Sequence, residues 1–443
     1  MIDVTKTKFS ILGSARSGIA AAYKIKEMGG SAFISDYKPE SEIPNAAKLK
    51  LDFECEFGRH TKRILDCNIL IVSPGIPSNL PILEQAKQSG IEIIGEIEFA
   101  YRIKASDSKI IAITGSNGKS TTVSLIHHIL RIAGYNSVLG GNIGVAATSF
   151  PLQNLGIDFI VLELSSFQLE LIKHFRADVA AILNITPDHL NRYAGMNDYA
   201  DAKFNIFLNQ KADDLAILNA DDEFTNNYEY KVNSQLKHFS LKRKTDIFLD
   251  ANNIIIDDQK ISIKNTTLKG PHNSANIMAA ILALSPFQIP QETFEKALNT
   301  FQPLAHRLEF IAKINGVAYY NDSKATNTDS VKYALQSFEK PIRIIMGGAG
   351  KGEDYSVLNK YLKKHAKKIY LIGDTRFEME KAFADIIPLE LFENYQPMIE
   401  KIHSEAEAGE SVVLCPACTS YDMFKNFEER GNYFKKLVME LSR

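Results

Sequence analysis

The residues with the clearest chemical meaning lie at 109–122, where the sequence reads KIIAITGSNGKSTT. A short apolar run ends in a glycine-rich turn, and a lysine and three hydroxyl residues follow it. Such a turn directs backbone N–H groups at an anion, and the N-terminus of the next helix adds favourable partial charge. We expect Lys119 to bind a phosphate and Ser120 or Thr121 to ligate Mg²⁺. The predicted nucleotide contacts here are Gly115, Asn117, Gly118, Lys119, Ser120 and Thr121.

This loop is a variant of the usual phosphate-binding pattern. Five positions normally separate its two glycines, and Ile113 stands where the first glycine belongs. The match is the shorter form G-x-x-G-K-S. The alternatives are a tight strand-to-helix turn with a solvated lysine and a nucleotide-driven switch or motor, against which the incomplete loop argues.

Two more chemical residues follow apolar strands of the same segment. Glu163 comes directly after residues 159–162, and His189 follows residues 179–183 through the block NITPDH. Continuous apolar strands are typical of a parallel sheet covered on both faces, and their carboxyl ends meet at one edge. We therefore expect both side chains to share a site with the phosphate loop, in which the Glu163 carboxylate is directed at Mg²⁺. Taken singly, Glu163 could cap a helix and His189 could lie on the surface.

The N-terminal segment carries a second phosphate-binding outline. A strand at residues 8–12 leads into the turn GSARSG at 13–18, and a strand at 32–35 ends at Asp36. This resembles a dinucleotide fingerprint in which Ala15 replaces the middle glycine. Residues 69–77, ILIVSPGIP, repeat the pattern of a buried strand and a turn. An NAD(P) oxidoreductase and a site for another nucleotide or nucleotide sugar both fit this outline.

Strands and helices alternate throughout, which predicts an α/β fold of three domains. We place a Rossmann-like domain at residues 1–98, a central P-loop ATPase-like domain with a mostly parallel sheet at 99–302, and a Rossmann-like C-terminal domain at 303–443. In the third domain, residues 342–352, IRIIMGGAGKG, read as a strand followed by a glycine-rich loop that includes Lys351. The polar stretch 231–264 is expected to form strands and turns of the middle domain.

Composition narrows the function classes. The chain has 443 residues, 45% of them hydrophobic, and a formal net charge of −2, so neither a nucleic-acid nor a membrane surface is favoured. The apolar run 277–284 is too short to cross a bilayer, and the N-terminus shows no signal peptide. Four cysteines do not make a disulfide framework, which indicates a reducing cytoplasm. Cys415 and Cys418 form CPAC, for which two buried or loop thiols are favoured over a redox pair or zinc site.

Several blocks occur together along the whole chain. They are TGSNGKST (114–121), GGNIG (140–144), LELSSFQLE (162–170), NITPDHLNRY (184–193), YADAKFNI (199–206), GPHNSAN (270–276), AHRLE (305–309), NDSKATN (321–327) and SYDMFKNFEERG (420–431). This set resembles the ATP-dependent Mur ligases of peptidoglycan synthesis, most closely the branch that adds D-glutamate. The resemblance covers all three segments.

The resemblance implies an ATP-dependent amide ligase that adds D-glutamate to UDP-N-acetylmuramoyl-L-alanine through an acyl phosphate. A sibling Mur ligase or a folylpolyglutamate-type ligase that adds another amino acid is the alternative. The implied ligands are ATP, two Mg²⁺ ions, the UDP-linked acceptor and D-glutamate. We expect a cytoplasmic monomer that binds neither nucleic acid nor membrane.

The resemblance also assigns roles to residues, and it displaces the NAD(P) interpretation of the first segment. UDP contacts are expected at Gly13, Ser14, Gly18, Asp36, Ser73, Pro74 and Gly75. Tyr37 and Lys38 follow Asp36 where the family often has Thr-Arg, which leaves the uracil contacts less defined. Asn142 is a predicted substrate contact, Asn276 an adenine contact, and Arg307 and Asp322 nucleotide contacts made on domain closure. The predicted amino-acid pocket consists of His306, Thr326, Lys351, Ser420, Tyr421 and Phe427.

The residues alone and the family resemblance predict different roles for Lys203. On its own, a lysine in the helical block YADAK is expected to be solvated. In the family the matching lysine is carbamylated by CO₂, and a carbamate offers the anionic oxygens that hard cations prefer. The predicted metal ligands are Ser120, Glu163, His189 and Lys203, and the predicted catalytic residues are Lys119, Glu163, His189 and Lys203.

Overall fold

The computed structural model describes residues 2–104, 107–153, 156–188 and 192–442. In these ranges strands and helices alternate, and the strands form three sheets. The central strands are apolar and buried along their whole length, for example Phe9–Leu12, Ile69–Val72 and Ile342–Met346. Burial on both faces explains why these runs do not alternate with polar residues. The predicted α/β class with mostly parallel sheets is confirmed.

The first sheet has five parallel strands in the order β3-β2-β1-β4-β5. Its strands are β1 (Phe9–Leu12), β2 (Ala32–Asp36), β3 (Glu54–Phe57), β4 (Ile69–Val72) and β5 (Glu92–Gly95). The order reverses direction at β1, which lies between β2 and β4. Both predicted ligand turns, at 13–18 and 73–75, follow strands that pair at this position. A crevice of this kind at the carboxyl ends of strands is where open α/β sheets bind ligands.

The second sheet has nine strands in the order β14-β13-β12-β11-β10-β9-β6-β8-β7. Its strands are β6 (Lys109–Thr114), β7 (Ser137–Gly141), β8 (Phe159–Glu163), β9 (Val179–Ile182), β10 (Leu215–Asn219), β11 (Gln235–Ser240), β12 (Ile247–Asp250), β13 (Asn253–Ile256) and β14 (Gln259–Ser262). Pairing is parallel as far as β12, and β12, β13 and β14 form an antiparallel edge. The predicted strands and turns at 231–264 are therefore confirmed.

The third sheet has six strands in the order β15-β16-β20-β17-β18-β19. Its strands are β15 (Glu309–Ile314), β16 (Val317–Asn321), β17 (Ile342–Met346), β18 (Ala366–Ile372), β19 (Leu389–Phe392) and β20 (Ser411–Leu414). Only the β15–β16 pair is antiparallel. Apolar cores cover both faces of this sheet, one around Leu358 and Phe383 and one around Tyr319 and Phe434.

The helices lie between the strands. They are α1 (Arg16–Glu27), α2 (Ala46–Asp52), α3 (Pro81–Gln88), α4 (Glu96–Ile103), α5 (Lys119–Ile132), α6 (Ser166–Leu169), α7 (Met196–Phe204), α8 (Glu223–Asn227), α9 (Pro271–Leu284), α10 (Gln291–Thr300), α11 (Thr328–Gln336), α12 (Asn359–His365), α13 (Arg376–Phe383), α14 (Tyr395–Glu405) and α15 (Phe427–Glu440). Within the described ranges, none of them combines the length and the apolar character that a bilayer crossing requires.

The chain divides into two compact units. The first unit comprises Met1–Ile185, Arg192–Lys264 and Ala275–Ala297, and the second comprises Thr186–Asn191, Asn265–Ser274 and Leu298–Arg443. The first two sheets share one apolar core, which includes Ile11 and Ile34 of the first sheet and Ala112 and Leu162 of the second. This shared core explains why they belong to one unit. The proposed boundaries at 98 and 302 remain predictions.

Helix α4 joins the first two sheets, and the predicted boundary at residue 98 falls inside it. Most of its residues are buried, including two carboxylates, Glu96 and Glu98. Phe99 packs edge-on against Phe9 of β1, with ring centroids 5.4 Å apart. A helix buried on nearly all sides acts as a shared core element rather than as an exposed linker.

Candidate active site

The phosphate loop connects β6 to α5, as predicted from its sequence. Gly118 has φ of +89°, and a Cβ atom there would collide with the side-chain oxygen of Asn276. Lys119 is the first residue of α5, and its Nζ donates to the carbonyl oxygens of Gly115 at 2.6 Å and Ser116 at 2.7 Å. The lysine therefore folds back over the loop, with its charge at the N-terminus of a helix, where a phosphate is favoured.

Asn184 holds the loop in shape and was missed as a site residue. Its backbone carbonyl accepts from Ser116 N at 2.9 Å. Its side chain accepts from Asn117 N at 2.8 Å and donates to Asn117 O at 3.0 Å. The residue follows strand β9, which lies beside β6 in the sheet. The signal was its place in NITPDH directly after an apolar strand.

Lys203 lies on α7 and is only 1% exposed, so the general expectation of a solvated helix lysine is wrong here. Its Nζ donates to the Gly115 carbonyl at 2.9 Å, the same oxygen that Lys119 contacts. It also lies 4.4 Å from the centroid of the Tyr199 ring. The tyrosine hydroxyl lies 3.2 Å from Ser116 Oγ. The predicted metal-site lysine is therefore buried directly beneath the phosphate loop.

Glu163 lies beside the same loop because of strand register. It ends β8, pairs with Ile113 of β6 and is 2% exposed. Asn142 Nδ2 donates to Glu163 Oε1 at 2.6 Å, and Asn142 N donates to Glu163 O at 2.8 Å. The structure therefore brings two predicted residues, a metal carboxylate and a substrate contact, into direct contact.

The described part of this site fits a hard cation such as Mg²⁺. Ser120, on the first turn of α5 and 3% exposed, and Glu163 supply oxygen atoms, which Mg²⁺ prefers. Lys203 can join them only as a carbamate, because an ammonium cannot ligate a cation. His189 lies outside the described residues. Over the described ranges no group of three or more His, Cys, Asp and Glu side chains could hold a metal.

Asn276 completes this part of the first unit. It is on α9 and is 5% exposed, and its side chain reaches the backbone of Gly118. The predicted adenine contact and the phosphate loop are therefore neighbours, although 158 positions of sequence separate Gly118 from Asn276.

The N-terminal turn at 13–18 is held from two sides. Asp36 Oδ2 accepts from Ser14 N at 2.6 Å and Ser14 Oγ at 2.7 Å, and Ser73 Oγ donates to Gly13 O at 2.8 Å. Burial raises the pKa of Asp36, but hydrogen bonds from Ser14 and Lys38 outweigh it and the pKa is lowered. Asp36 is therefore ionised at neutral pH and stabilises the turn, while its contact with uridine stays a prediction.

The opposite end of this turn reaches the central sheet through Arg16. Its Nη1 donates to Gly144 O at 2.7 Å and its Nη2 to Asn142 O at 3.2 Å. Arg16 is the first residue of α1 and is exposed. It was also missed, although an arginine within a predicted diphosphate turn is a signal in itself.

In the second unit, His306 and Phe427 lie together. Their rings meet edge-on with centroids 5.9 Å apart, and His306 adopts a left-handed backbone with φ of 64°. Asn321 Nδ2 lies 2.9 Å from His306 Nδ1. Burial lowers the pKa of His306, and nearby Glu309 opposes that shift. Lys324 Nζ lies 3.9 Å from the centroid of the Phe427 ring.

The other predicted pocket residues differ in exposure. Lys351 Nζ pairs with Asp188 Oδ1 at 3.0 Å. Ser420 is 2% exposed, whereas Tyr421 beside it is 73% exposed, and Thr326 is half-buried. Hydroxyl and ammonium donors are thus available in this unit for carboxylate groups. The joint role of these residues as one pocket stays a prediction.

Asp322 is a buried carboxyl with few partners. Burial raises its pKa to about 6, and nearby Arg307 and a hydrogen bond from Leu308 N oppose that shift. Cys415 Sγ donates to Asp322 Oδ2 at 3.8 Å. Cys415 and Cys418 are both buried free thiols, as predicted. Burial raises the pKa of each, which makes them poor nucleophiles.

Comparisons with known proteins cover the same three segments. The profile "Mur ligase MurD-like, N-terminal domain" matches residues 7–95, "Mur ligase middle domain" matches 113–284, and "Mur ligase, glutamate ligase domain" matches 306–418. The UDP-N-acetylmuramoylalanine–D-glutamate ligase of Koribacter versatilis is 40% identical over 100% of this chain and 99% of its own.

The chain belongs to the Mur ligase family. Two other relatives with the same name are those of Clostridioides difficile, 38% identical over 99% of this chain and 100% of its own, and Cytophaga hutchinsonii, 40% identical over 98% and 99%. Mur ligases are ATP-dependent ligases, so the P-loop switch and the NAD(P) oxidoreductase considered from the sequence are both displaced.

Solved structures of Mur ligases share the fold of this chain. The UDP-N-acetylmuramate–alanine ligase of Thermotoga maritima superposes with a TM-score of 0.65, at 19% identity over 98% of this chain and 99% of its own. MurF of Acinetobacter baumannii gives 0.66, at 17% identity over 98% and 93%. At these identities the likeness concerns the fold alone.

Proposed function

We propose that this Mur ligase joins D-glutamate to UDP-N-acetylmuramoyl-L-alanine with consumption of ATP in peptidoglycan precursor synthesis. The observation that carries the proposal is the identity of 38–40% to three D-glutamate-adding relatives over 98–100% of the chain. The three profile matches cover the same order of domains. ATP and UDP-linked sugars are cytoplasmic metabolites, so we place the reaction in the cytoplasm. We further propose that the enzyme acts as a monomer.

The reaction must overcome the poor electrophilicity of a carboxylate. In the proposed first step, a carboxylate oxygen of the UDP-linked substrate attacks the γ-phosphorus of ATP and ADP leaves. The amine of D-glutamate then attacks the acyl phosphate, and the tetrahedral intermediate collapses to an amide and phosphate. The first step brings two anions together, so neutralising charge is the main task of the protein.

The residues of the phosphate loop are placed for that task. Lys119 would exchange the Gly115 and Ser116 carbonyls for phosphate oxygens, and the N-terminus of α5 would add favourable partial charge. Bound Mg²⁺ would supply further positive charge to the phosphate oxygens. Ser120, Glu163 and carbamylated Lys203 would hold it, together with His189 as the fourth predicted ligand.

The charges beneath the loop support the carbamate on Lys203 that the family resemblance implies. Unmodified, Lys203 and Lys119 direct two ammonium groups at one carbonyl oxygen, Gly115 O, and Lys203 is almost wholly buried. Burying like charges together costs free energy. Reaction of the neutral amine with CO₂ replaces one of these cations with an anion and supplies the oxygen atoms that Mg²⁺ requires.

The second unit is proposed to bind the amino acid and complete the nucleotide site. D-glutamate has two carboxylates, and the donors proposed for them are Lys351, Thr326 and Ser420 with His306, Tyr421 and Phe427 around them. Arg307 and Asp322 are proposed to contact the nucleotide when the domains close. Closure would exclude water and protect the acyl phosphate from hydrolysis.

An amino-acid panel tests the proposal. Purified protein is incubated with Mg²⁺, ATP, UDP-N-acetylmuramoyl-L-alanine and one amino acid at a time, and ADP and the new amide are measured. We expect turnover with D-glutamate and little with L-glutamate, L-lysine or diaminopimelate. Turnover with another amino acid would instead assign a sibling activity, and use of a folate acceptor would assign the folylpolyglutamate type.

A pair of lysine variants tests whether the turnover measured in the panel depends on the phosphate loop. Lys119→Ala should lower kcat by about 10²–10³-fold, the effect of removing one preorganised charge donor. Lys109→Ala is the matched control, because Lys109 starts β6, the strand that leads into the phosphate loop. Its exposed side chain pairs only with Asp178 among the described ion pairs. Near-normal turnover of Lys119→Ala would refute the role assigned to the loop.

A further inference from the structure

Arg16 connects two parts of the first unit that the proposed reaction uses separately. It stands in the turn at 13–18, where the substrate diphosphate is proposed to bind. Its guanidinium donates to Gly144 O and Asn142 O, at 2.7 and 3.2 Å, in the loop that follows β7. A guanidinium has five N–H donors in a rigid fork, so two contacts leave donors for an incoming anion.

The same loop contacts the proposed metal site on its other side. Asn142 Nδ2 donates to Glu163 Oε1 at 2.6 Å, and the backbone N–H of Asn142 donates to Glu163 O at 2.8 Å. Glu163 is 2% exposed, so its carboxylate has little freedom to find another partner. Arg16 is therefore one residue removed from the carboxylate proposed to ligate Mg²⁺.

The charge of Arg16 also points toward an anion. Its two hydrogen bonds go to neutral carbonyl oxygens. No carboxylate of the described ranges lies within ion-pair distance of it, although the buried carboxylate of Glu96 is near enough to interact with its charge. The side chain is exposed at the surface of the turn. Exposed arginines of this kind bind phosphate groups in a bidentate manner.

We propose that Arg16 is a positioning residue that couples occupancy of the diphosphate turn to the geometry of the Mg²⁺ site through Asn142 and Glu163. The inference rests on the proposed function. Substrate diphosphate held by the remaining donors of Arg16 fixes the guanidinium, which fixes the 142–144 loop and the Asn142–Glu163 contact. By linkage, Mg²⁺ and nucleotide must then tighten the UDP-linked substrate by the same factor.

Calorimetric titration measures this factor directly. UDP-N-acetylmuramoyl-L-alanine is titrated into wild-type protein, Arg16→Met and Arg16→Lys, with and without Mg²⁺ and a non-hydrolysable ATP analogue. In wild type we expect the analogue to tighten substrate binding by about tenfold, within the usual range of coupling. In Arg16→Met the ratio should fall to about one, while the analogue alone binds as in wild type. Arg16→Lys keeps the charge but cannot span both carbonyls, so its ratio should be intermediate.

The outcomes separate the inference from the proposed function. Arg131→Met, which removes an exposed arginine from the last turn of α5, serves as the control and should keep the wild-type ratio. If Arg16→Met weakens substrate equally with and without nucleotide, Arg16 is a direct contact only and the coupling is refuted. A wild-type ratio of one, or an unchanged ratio in Arg16→Met, also overturns the inference. If wild type does not bind the UDP-linked ligand at all, the proposed function fails, and the inference fails with it.

Discussion

Two lysines that share one acceptor define the chemistry at the scale of residues. Lys119 comes from the loop itself, whereas Lys203 comes from a helix 84 positions later, yet both reach Gly115 O. In the proposed mechanism, an incoming phosphate would replace the carbonyl contacts of Lys119, and carbamylation would remove the positive charge of Lys203. The Gly115 carbonyl therefore lies between the residues proposed to bind the nucleotide and those proposed to bind the metal.

The carbamate on Lys203 can be detected without any measurement of activity. Protein equilibrated with ¹³C-bicarbonate and Mg²⁺ should show a carbamate carbon resonance by NMR, and Lys203→Arg should lack it because a guanidinium does not form a carbamate under these conditions. Lys211→Arg, at an exposed position, should retain the signal. A wild-type spectrum without this resonance, at neutral pH and with substrates bound, would contradict the modification.

Spacing and residue type predicted some of these residues and not others. Lys119 and Glu163 could be found because each follows an apolar strand, and strand ends converge on one edge of a parallel sheet. Asn184 and Arg16 stand in motifs that could have drawn attention to them, but the partners they contact depend on which loops become neighbours after folding. The burial of Lys203 likewise depends on the packing of α7, since a polar helical block alone suggests a solvated side chain.

At the scale of elements, α4 is the connection on which the first unit depends. Glu98 is fully buried, and its carboxylate accepts from three consecutive backbone N–H groups, those of Lys173, His174 and Phe175, at 2.8–3.0 Å. Arg102 Nε donates to it at 2.6 Å. A single carboxylate thus ties the helix after the first sheet to the loop that precedes β9.

Removing this carboxylate should destabilise the protein. Glu98→Ala leaves three buried backbone donors without their acceptor and removes one of the two carboxylates that Arg102 contacts, since Arg102 keeps Glu92. Such a loss costs roughly 3–5 kcal/mol of unfolding free energy. Urea denaturation monitored by circular dichroism measures the change. Glu84→Ala is the control, because Glu84 and its partner Lys87 are each 63% exposed and the expected change is within about 0.5 kcal/mol. Equal stability of the two variants would contradict the role of Glu98.

The type of each sheet was predictable, but the order of its strands was not. Continuous apolar runs predicted parallel strands, because only burial on both faces tolerates them. That β6 lies between β8 and β9, and β20 between β16 and β17, is set by long-range crossovers that leave no local mark. The burial of α4, inside which the predicted boundary at residue 98 falls, was not predictable for a related reason, since two sheets share its surface.

At the scale of the whole molecule, the second unit contains a histidine whose titration affects stability. His272 Nδ1 is buried and has no hydrogen-bond partner in the described structure, and the His272 ring lies 5.4 Å from that of Tyr333. Burial, with a contribution from nearby Arg307, lowers the pKa of His272 to about 4. The unfolded chain protonates this histidine near pH 6.5, whereas the folded chain resists protonation.

This difference predicts a stability slope in a defined pH range. The free energy of unfolding is highest above pH 6.5 and falls as the pH is lowered toward 4. At 1.36 kcal/mol per pKa unit, and after allowance for the partial exposure of His272, the expected decrease is roughly 2 kcal/mol. Unfolding free energies of wild type and His272→Gln, measured by denaturant titration between pH 4 and 7, should therefore converge as pH falls. His174→Gln, at an exposed histidine, is the control and should run parallel to wild type. Parallel curves for His272→Gln would contradict the assignment.

The central claim concerns the whole catalytic cycle: a carboxylate becomes an electrophile by accepting a phosphoryl group. The direct measurement uses UDP-N-acetylmuramoyl-L-alanine with ¹⁸O in both oxygens of the alanine carboxylate. With ATP, Mg²⁺ and D-glutamate, the account predicts that each turnover transfers one ¹⁸O into inorganic phosphate and leaves the other in the amide, as read by mass spectrometry. Amide formation accompanied by phosphate without ¹⁸O would contradict it.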